Sequence, residues 1–320
     1  MLTLLHLCII TVVIIFFNCV GVFGNINVVV AVFRAPTLRT KAGYLMAILC
    51  ILQSICLLSY LVNLRIYWGR SVMDQSACFQ SWSVYIFAKI AQSLLYFMIV
   101  VDKLIAVALP LKHKVWPNSL YTFSMCLPPL LIASGALFAS YYSVNDVEIN
   151  VCRPPTSHGV ITPITILLTF TSTAAIVVMF VMLGIVIKNE RSWKGSRHRK
   201  TSKPIAPSVT NKTVRITTGI VAVFVCTWYL SVASMLIAFS LDLPEKWLNY
   251  IMTLILIPMF AAYSQNFYAV YTCPRYGPVL KKQIAWLMAC GSKEGEGAAA
   301  QTTLSTSSKI ATISTPNVSV

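Results

Sequence analysis

Residues 99–113 read IVVDKLIAVALPLKH. An apolar run ends in two adjacent opposite charges, Asp102 and Lys103, resumes with Leu104, and meets Pro110. Proline lacks a backbone donor and clashes with the preceding turn, so a helix through this stretch has to stop near it. Upstream, the apolar run reaches back to Phe79 with a single charge in it, Lys89. About 20 such residues cross the roughly 30 Å of hydrocarbon in a bilayer. The charged pair therefore marks the place where a spanning helix leaves the lipid.

The rest of the chain repeats this pattern. Of its 320 residues 57% are hydrophobic and 11% charged, whereas a soluble domain carries roughly a quarter charged residues. That composition excludes an ordinary soluble fold. Segments long enough to span occur at about 4–33, 44–64, 79–101, 120–142, 160–187, 216–241 and 247–272. Backbone groups in lipid must pair within their own segment unless a barrel closes, and runs of this length give helices. The expected fold class is all-α: a seven-transmembrane helix bundle.

Orientation follows from the basic residues, which stay on the cytoplasmic side. With the N-terminus extracellular and the C-terminus cytoplasmic, the inner connections and tail hold 20 of the 25 lysines and arginines. The expected location is the plasma membrane, as a multi-pass protein. The formal charge of +16 is then an inner basic rim facing membrane lipids and cytosolic partners, not a nucleic-acid surface. Its densest stretch, RSWKGSRHRKTSKP at 191–204, is tethered to the membrane.

Ten cysteines resolve on this topology. Cys19, Cys50, Cys56, Cys126 and Cys226 fall inside spans, where cysteine usually acts as a small buried apolar residue. Cys8 lies at the outer edge of the first span, and Cys273 and Cys290 face the reducing cytosol. Only Cys78 and Cys152 lie clearly in oxidising territory, and they are expected to be bonded. The bridge would tie the second outer loop to the third span, an effect of about 4 kcal/mol for a free chain and smaller where neighbouring helices already hold the ends.

Lys103 lies 25 residues after Cys78. The run DKLIAVALPL, 102–111, resembles the Asp-Arg-Tyr signature of rhodopsin-like G-protein-coupled receptors with its Ala-Val and Pro-Leu continuation, and that interval is the family's own. Gly24-Asn25 resembles the first-helix signature, and NFYAVY at 266–271 resembles the seventh-helix Asn-Pro-x-x-Tyr. Trp228 in FVCTWYL stands where the sixth helix of the family has its toggle tryptophan. Over residues 1–290 the degenerate forms are most similar to a nematode serpentine chemoreceptor of the srsx class. The resemblance implies a receptor that couples a small molecule or short peptide to a heterotrimeric G protein, with arrestin a further candidate partner and no cofactor. It places Asp102, Lys103 and Pro110 at the coupling end and Asn25, Gln53, Asn266 and Tyr271 in an activation network. A seven-span chemosensory channel or transporter is the competing reading.

The departures from the family pattern change the physics of each role. Lys103 keeps the arginine's charge without its bidentate fork. The segment VTNKTVRI, 209–216, offers no acid, so no ionic lock between third and sixth helices is expected. Gln53, 28 residues after Asn25, replaces the sodium-binding aspartate and gives a cation no charge to bind. Phe267 stands where the seventh-helix proline belongs, which moves any kink outward toward Pro258. Val270 holds the tyrosine's place, with Tyr271 beside it.

After the last span, CPRYGPVLKKQIAWLMAC at 273–290 sets Tyr276, Leu280, Ile284 and Leu287 on one helical face, the pattern of an amphipathic helix on the membrane surface. Cys290 is a palmitoylation candidate. Beyond it the chain is small, polar and rich in Ser and Thr, as disordered tails are. The expected organisation is a receptor domain 1–273, a surface helix 274–290 and a disordered cytoplasmic tail 291–320. Asn211 and Asn317 match the glycosylation pattern on the cytosolic side, where they would stay unmodified. The four histidines are scattered, and neither an enzyme site nor a metal cluster emerges.

Lys89 is the one charge in the middle of a span, about 16 Å of helical rise below Cys78. Trp82, Tyr85, Gln92, Ser93 and Tyr96 recur near it at spacings that share one helical face. In the resembling family that face lines the ligand cavity, and the resemblance thereby implies Tyr85, Lys89, Gln92 and Trp228 as the candidate ligand pocket. A buried ammonium without a carboxylate is costly and marks functional paths in membranes. Either Lys89 sits there as a neutral amine, or cavity water hydrates it, or an anionic group of the ligand completes it.

Overall fold

A computed structural model describes residues 4–69, 73–145, 147–149, 152, 161–197, 226–234, 245–271, 273 and 276–290, with isolated positions at 223, 237 and 241. Outside these lie the tail 291–320, the segment 209–216 with Asn211, and the second half of the basic stretch, 198–204. The helices are α1 (Leu4–Arg34), α2 (Lys41–Val62), α3 (Leu64–Gly69), α4 (Gln75–Ala108), α5 (Pro110–Val115) and α6 (Asn118–Tyr142), followed by α7 (Ile161–Arg197), α8 (226–234), α9 (Glu245–Tyr271) and α10 (Gly277–Cys290). A helix thus stands at each of the seven expected positions. Among the described residues α1, α2, α4, α6 and α7 are long and apolar enough to cross a membrane.

Local chemistry sets the ends that matter for the site. Thr40 caps α2, its hydroxyl accepting from the Gly43 amide at 3.2 Å, which satisfies one of the open donors of a first turn. Asn63 closes the other end of α2 and donates from Nδ2 to the Ser81 carbonyl of α4 at 2.9 Å. α4 stops at Ala108, and Pro110 opens α5 at the first helical position, where a missing N–H matters least. With 34 residues, α4 rises about 51 Å and runs past the hydrocarbon at its ends. α9 continues as one helix through Pro258.

The packing is that of a bundle with apolar faces on both sides. α4 is central and packs on α2, α6 and α7, while α1 packs on α2 and α9. Inside are large aromatic side chains: Tyr60, Trp82, Tyr85, Trp228, Phe260 and Tyr263. Outside, Val12, Phe16 and Phe23 of α1, Leu120, Leu131 and Phe138 of α6, and Phe170 and Phe180 of α7 are exposed. A soluble protein rarely presents such continuous apolar surface; lipid is the solvent that covers it. Cys19 and Cys226 belong to this outer surface, in contrast to the burial expected for them, whereas Cys50, Cys56 and Cys126 are buried.

α1 and α9 approach closely enough to require glycine. A Cβ on Gly24 would sit 2.7 Å from the Phe267 Cβ, and one on Gly21 would sit 3.1 Å from the Ser264 Cβ of α9 and 2.6 Å from a Leu57 methyl of α2. The phenylalanine that replaces the seventh-helix proline is thus the group packed against Gly24.

The end of the bundle at Cys78 is tied down twice. Met73–Asp74 pairs antiparallel with Glu148–Ile149, and Cys78 near the start of α4 is bonded to Cys152 with the Cα atoms 5.6 Å apart, as expected. At the opposite end, α10 folds back on α1. Leu280 is fully buried, Gln283 donates to the Asn27 side-chain carbonyl at 3.0 Å, and the Arg34 guanidinium lies 5.3 Å from the Trp286 ring centroid. The buried face extends from Tyr276 to Ile284. Leu287 is exposed beyond it.

Candidate functional site

Three groups of polar side chains lie along the inner face of α4, one below another. The outermost surrounds Lys89. Its Nζ lies 5.9 Å from the ring centroids of both Tyr85, one turn outward on α4, and Trp228 of α8. Trp228 packs in turn on Tyr263 of α9 at 5.8 Å. The Tyr85 hydroxyl lies 3.4 Å from those of Tyr60 and Tyr263 and 3.3 Å from the Met259 sulfur. Gln92 is fully buried beside Tyr263. The structure therefore brings together Tyr85, Lys89 and Trp228 from helices remote in sequence, with Gln92 one turn inward.

The middle group is a closed ring of hydrogen bonds joining three helices. Asn266 of α9 donates from Nδ2 to Gln53 Oε1 of α2 at 2.5 Å. Gln53 donates from Nε2 to the Tyr96 hydroxyl of α4 at 3.0 Å, and Tyr96 donates to Asn266 Oδ1 at 3.3 Å. All three side chains are buried, and each donor polarises the next, which strengthens such cycles. Asn25 stands one step away, its Nδ2 donating to the Tyr263 carbonyl at 3.0 Å. Tyr271 does not join. It comes five residues after Asn266, hence on another face of α9, and its ring packs 5.7 Å from that of Phe267 with Lys281 above it. The sequence pattern had grouped Tyr271 with Asn25, Gln53 and Asn266; the geometry puts Tyr96 in that place.

The innermost group surrounds Asp102, whose side chain is 1% exposed. Its Oδ1 accepts from the Tyr121 hydroxyl at 3.0 Å and from His113 Nε2 at 2.9 Å. Because a carboxylate only accepts, the His113 proton on this side is on Nε2. Lys103 approaches the other oxygen more loosely, Nζ to Oδ2 3.5 Å, with its side chain 25% exposed. Lys41 of α2 donates to the His113 carbonyl and lies 4.9 Å from the Tyr121 ring centroid. Pro110 begins the short helix that carries His113 back toward Asp102.

His113, Tyr121 and Lys41 are the functional candidates that sequence reasoning missed. The available signal was electrostatic. A carboxylate buried at a helix end needs donors, and Lys103, one position on, leaves the helix about 100° around from it. The donors come from the two helices that follow, His113 of α5 and Tyr121 in the first turn of α6.

The family described as serpentine type 7TM GPCR chemoreceptor Srsx matches residues 18–282. No curated protein matches the sequence. With the match extending over most of its length, the chain belongs to the Srsx chemoreceptor family and is a multi-pass membrane protein with a seven-helix fold.

Proposed function

From membership in a chemoreceptor family, we propose that this chain transduces a ligand bound between its helices to a heterotrimeric G protein. The ligand site lies among Tyr85, Lys89, Gln92 and Trp228 in the outer half of the bundle. The coupling end is formed by Asp102, Lys103 and the Pro110 turn. The observation that carries this reading is the division of labour at that end. Asp102 is held by Tyr121 and His113, so Lys103 is left partly exposed as a cation at the inner mouth. An inserting protein segment that offers carbonyl or carboxylate acceptors meets a donor there. The ring of Gln53, Tyr96 and Asn266 lies on the route between ligand and coupling end. In this reading the N-terminus is extracellular, the location is the plasma membrane, and Cys290 and the tail serve lipidation and arrestin recruitment.

The test is made in cells carrying a second-messenger reporter. Lys103→Ala should reach the surface and abolish agonist-driven signal, while Lys103→Arg should preserve or enhance it, since arginine adds the bidentate fork. Full signalling by Lys103→Ala would remove the assigned role. An epitope at the C-terminus accessible in unpermeabilised cells would remove the receptor topology and favour a channel.

A further inference from the structure

Lys89 stands in the middle of α4 with no carboxylate to meet it. All nine acids of the chain, Asp74, Asp102, Asp146, Glu148, Glu190, Asp242, Glu245, Glu294 and Glu296, fall outside the apolar interior of the spans. The first acid inward along α4 is Asp102, about 20 Å of rise away, and its oxygens are taken by Tyr121, His113 and Lys103. Both rings beside Lys89 sit 5.9 Å from the ammonium, at the outer limit of cation–π attraction, and such contacts offset only part of the cost of an ion at this depth. Its neighbours on the same helix face, Trp82, Tyr85, Gln92, Ser93 and Tyr96, are buried, while Lys89 itself is only partly so. The charge lies on the face of α4 turned to the bundle, and among the described residues no carboxylate meets it.

We propose that Lys89 is the counter-ion for a small amphipathic monocarboxylate, which completes its charge between α4, α8 and α9. This rests on the reading of the chain as a ligand-binding receptor and names the class of its ligand. A single charge is the match, because no second lysine or arginine occurs in any span. A phosphate monoester, close to a dianion at neutral pH, would remain half compensated. Hydroxyl donors are at hand. The Tyr85 phenol lies 3.4 Å from those of Tyr60 and Tyr263, longer than the 2.5–3.0 Å of a good O–H···O bond, so these hydroxyls exchange long contacts for a charge-assisted one when a carboxylate oxygen is present. Trp82 and Phe260, both fully buried, border these phenols at 4.9–6.5 Å between ring centroids, so the surroundings of the ligand's body are apolar.

The experiment uses the full chain in nanodiscs and measures thermal stabilisation by octanoate and indole-3-acetate. Each is compared with the amide and the amine of the same skeleton. The wild type should be stabilised by a carboxylate and not by its amide or amine. Lys89→Met should fold and melt no lower without ligand, because it removes an uncompensated charge. Its affinity for that carboxylate should fall at least about 30-fold, roughly 2 kcal/mol at 1.4 kcal/mol per tenfold, and Lys89→Arg should stay within about tenfold of wild type. The proposal is overturned if neither carboxylate stabilises the wild type, if the amide or amine serves as well, or if Lys89→Met binds unchanged. A second-messenger reporter separates the two levels. A carboxylate that binds through Lys89 and elicits no G-protein signal keeps the anion site and defeats the coupling reading. A cationic agonist that signals through Lys103 does the reverse.

Discussion

Tyr96 is the residue on which two helices depend at once. Its single hydroxyl accepts from Gln53 and donates to Asn266, so Tyr96→Phe deletes one oxygen and leaves a buried amide proton and a buried amide oxygen short of partners. Removing one member of a satisfied buried set costs about 1–3 kcal/mol for the groups stranded. The variant should melt lower in detergent than wild type, with the ring volume unchanged; an unaltered melting temperature would mean that water replaces the hydroxyl. Asp102 follows the same logic at the inner end. It is buried because Tyr121 and His113 replace the solvent it has lost.

Contact between whole helices rests on what is missing from them as much as on what is present. α1 can lie against α9 because Gly24 presents no Cβ to Phe267. Gly24→Val would push two methyl groups into that ring. Overpacking of this kind costs about 1–3 kcal/mol, and α10, which is anchored on α1 through Leu280 and Gln283, would be displaced with it. We expect a lower surface fraction and a lower melting temperature for this variant. Gly135 of α6 supplies the comparison, for nothing lies within 4 Å of the Cβ it would acquire. Gly135→Ala should be neutral or stabilising by up to about 1 kcal/mol through helix propensity. Equal effects of the two would show that backbone entropy, not the α1–α9 contact, governs both.

At the scale of the molecule, the Cys78–Cys152 bond and the short sheet fix the segment after α6 to the start of α4. Cys152→Ser should prevent surface display, measured by antibody labelling of intact cells. Normal labelling with a normal response would show that the Met73–Asp74 pairing alone suffices. This bond was legible in the sequence because topology sorts cysteines by redox compartment. The spans were legible because lipid demands about 20 apolar residues and leaves little freedom in how they fold. What hydropathy does not encode is the rotation and offset of one helix against the next. That is why Gln53 and Asn266 were recognised as polar partners while the hydroxyl closing their ring was not. It is also why Asp102 was read with its chain neighbour Lys103 and not with Tyr121, whose position depends on the turn that Pro110 and Pro117 impose. Tyr271 shows the same limit from the other side, since being next to the expected position along a helix means facing a different way.

The hydrogen-bond ring has a mechanical consequence. Each of its three side chains gives one bond and takes one from the other two, so none can let go without stranding both. Such a linkage has two states, closed or broken, and little in between. It ties α2, α4 and α9 to one another, and α1 lies against α9 at Gly24. Trp228 stands outside this linkage, since among the described residues of α8 none contributes a side chain to the ring.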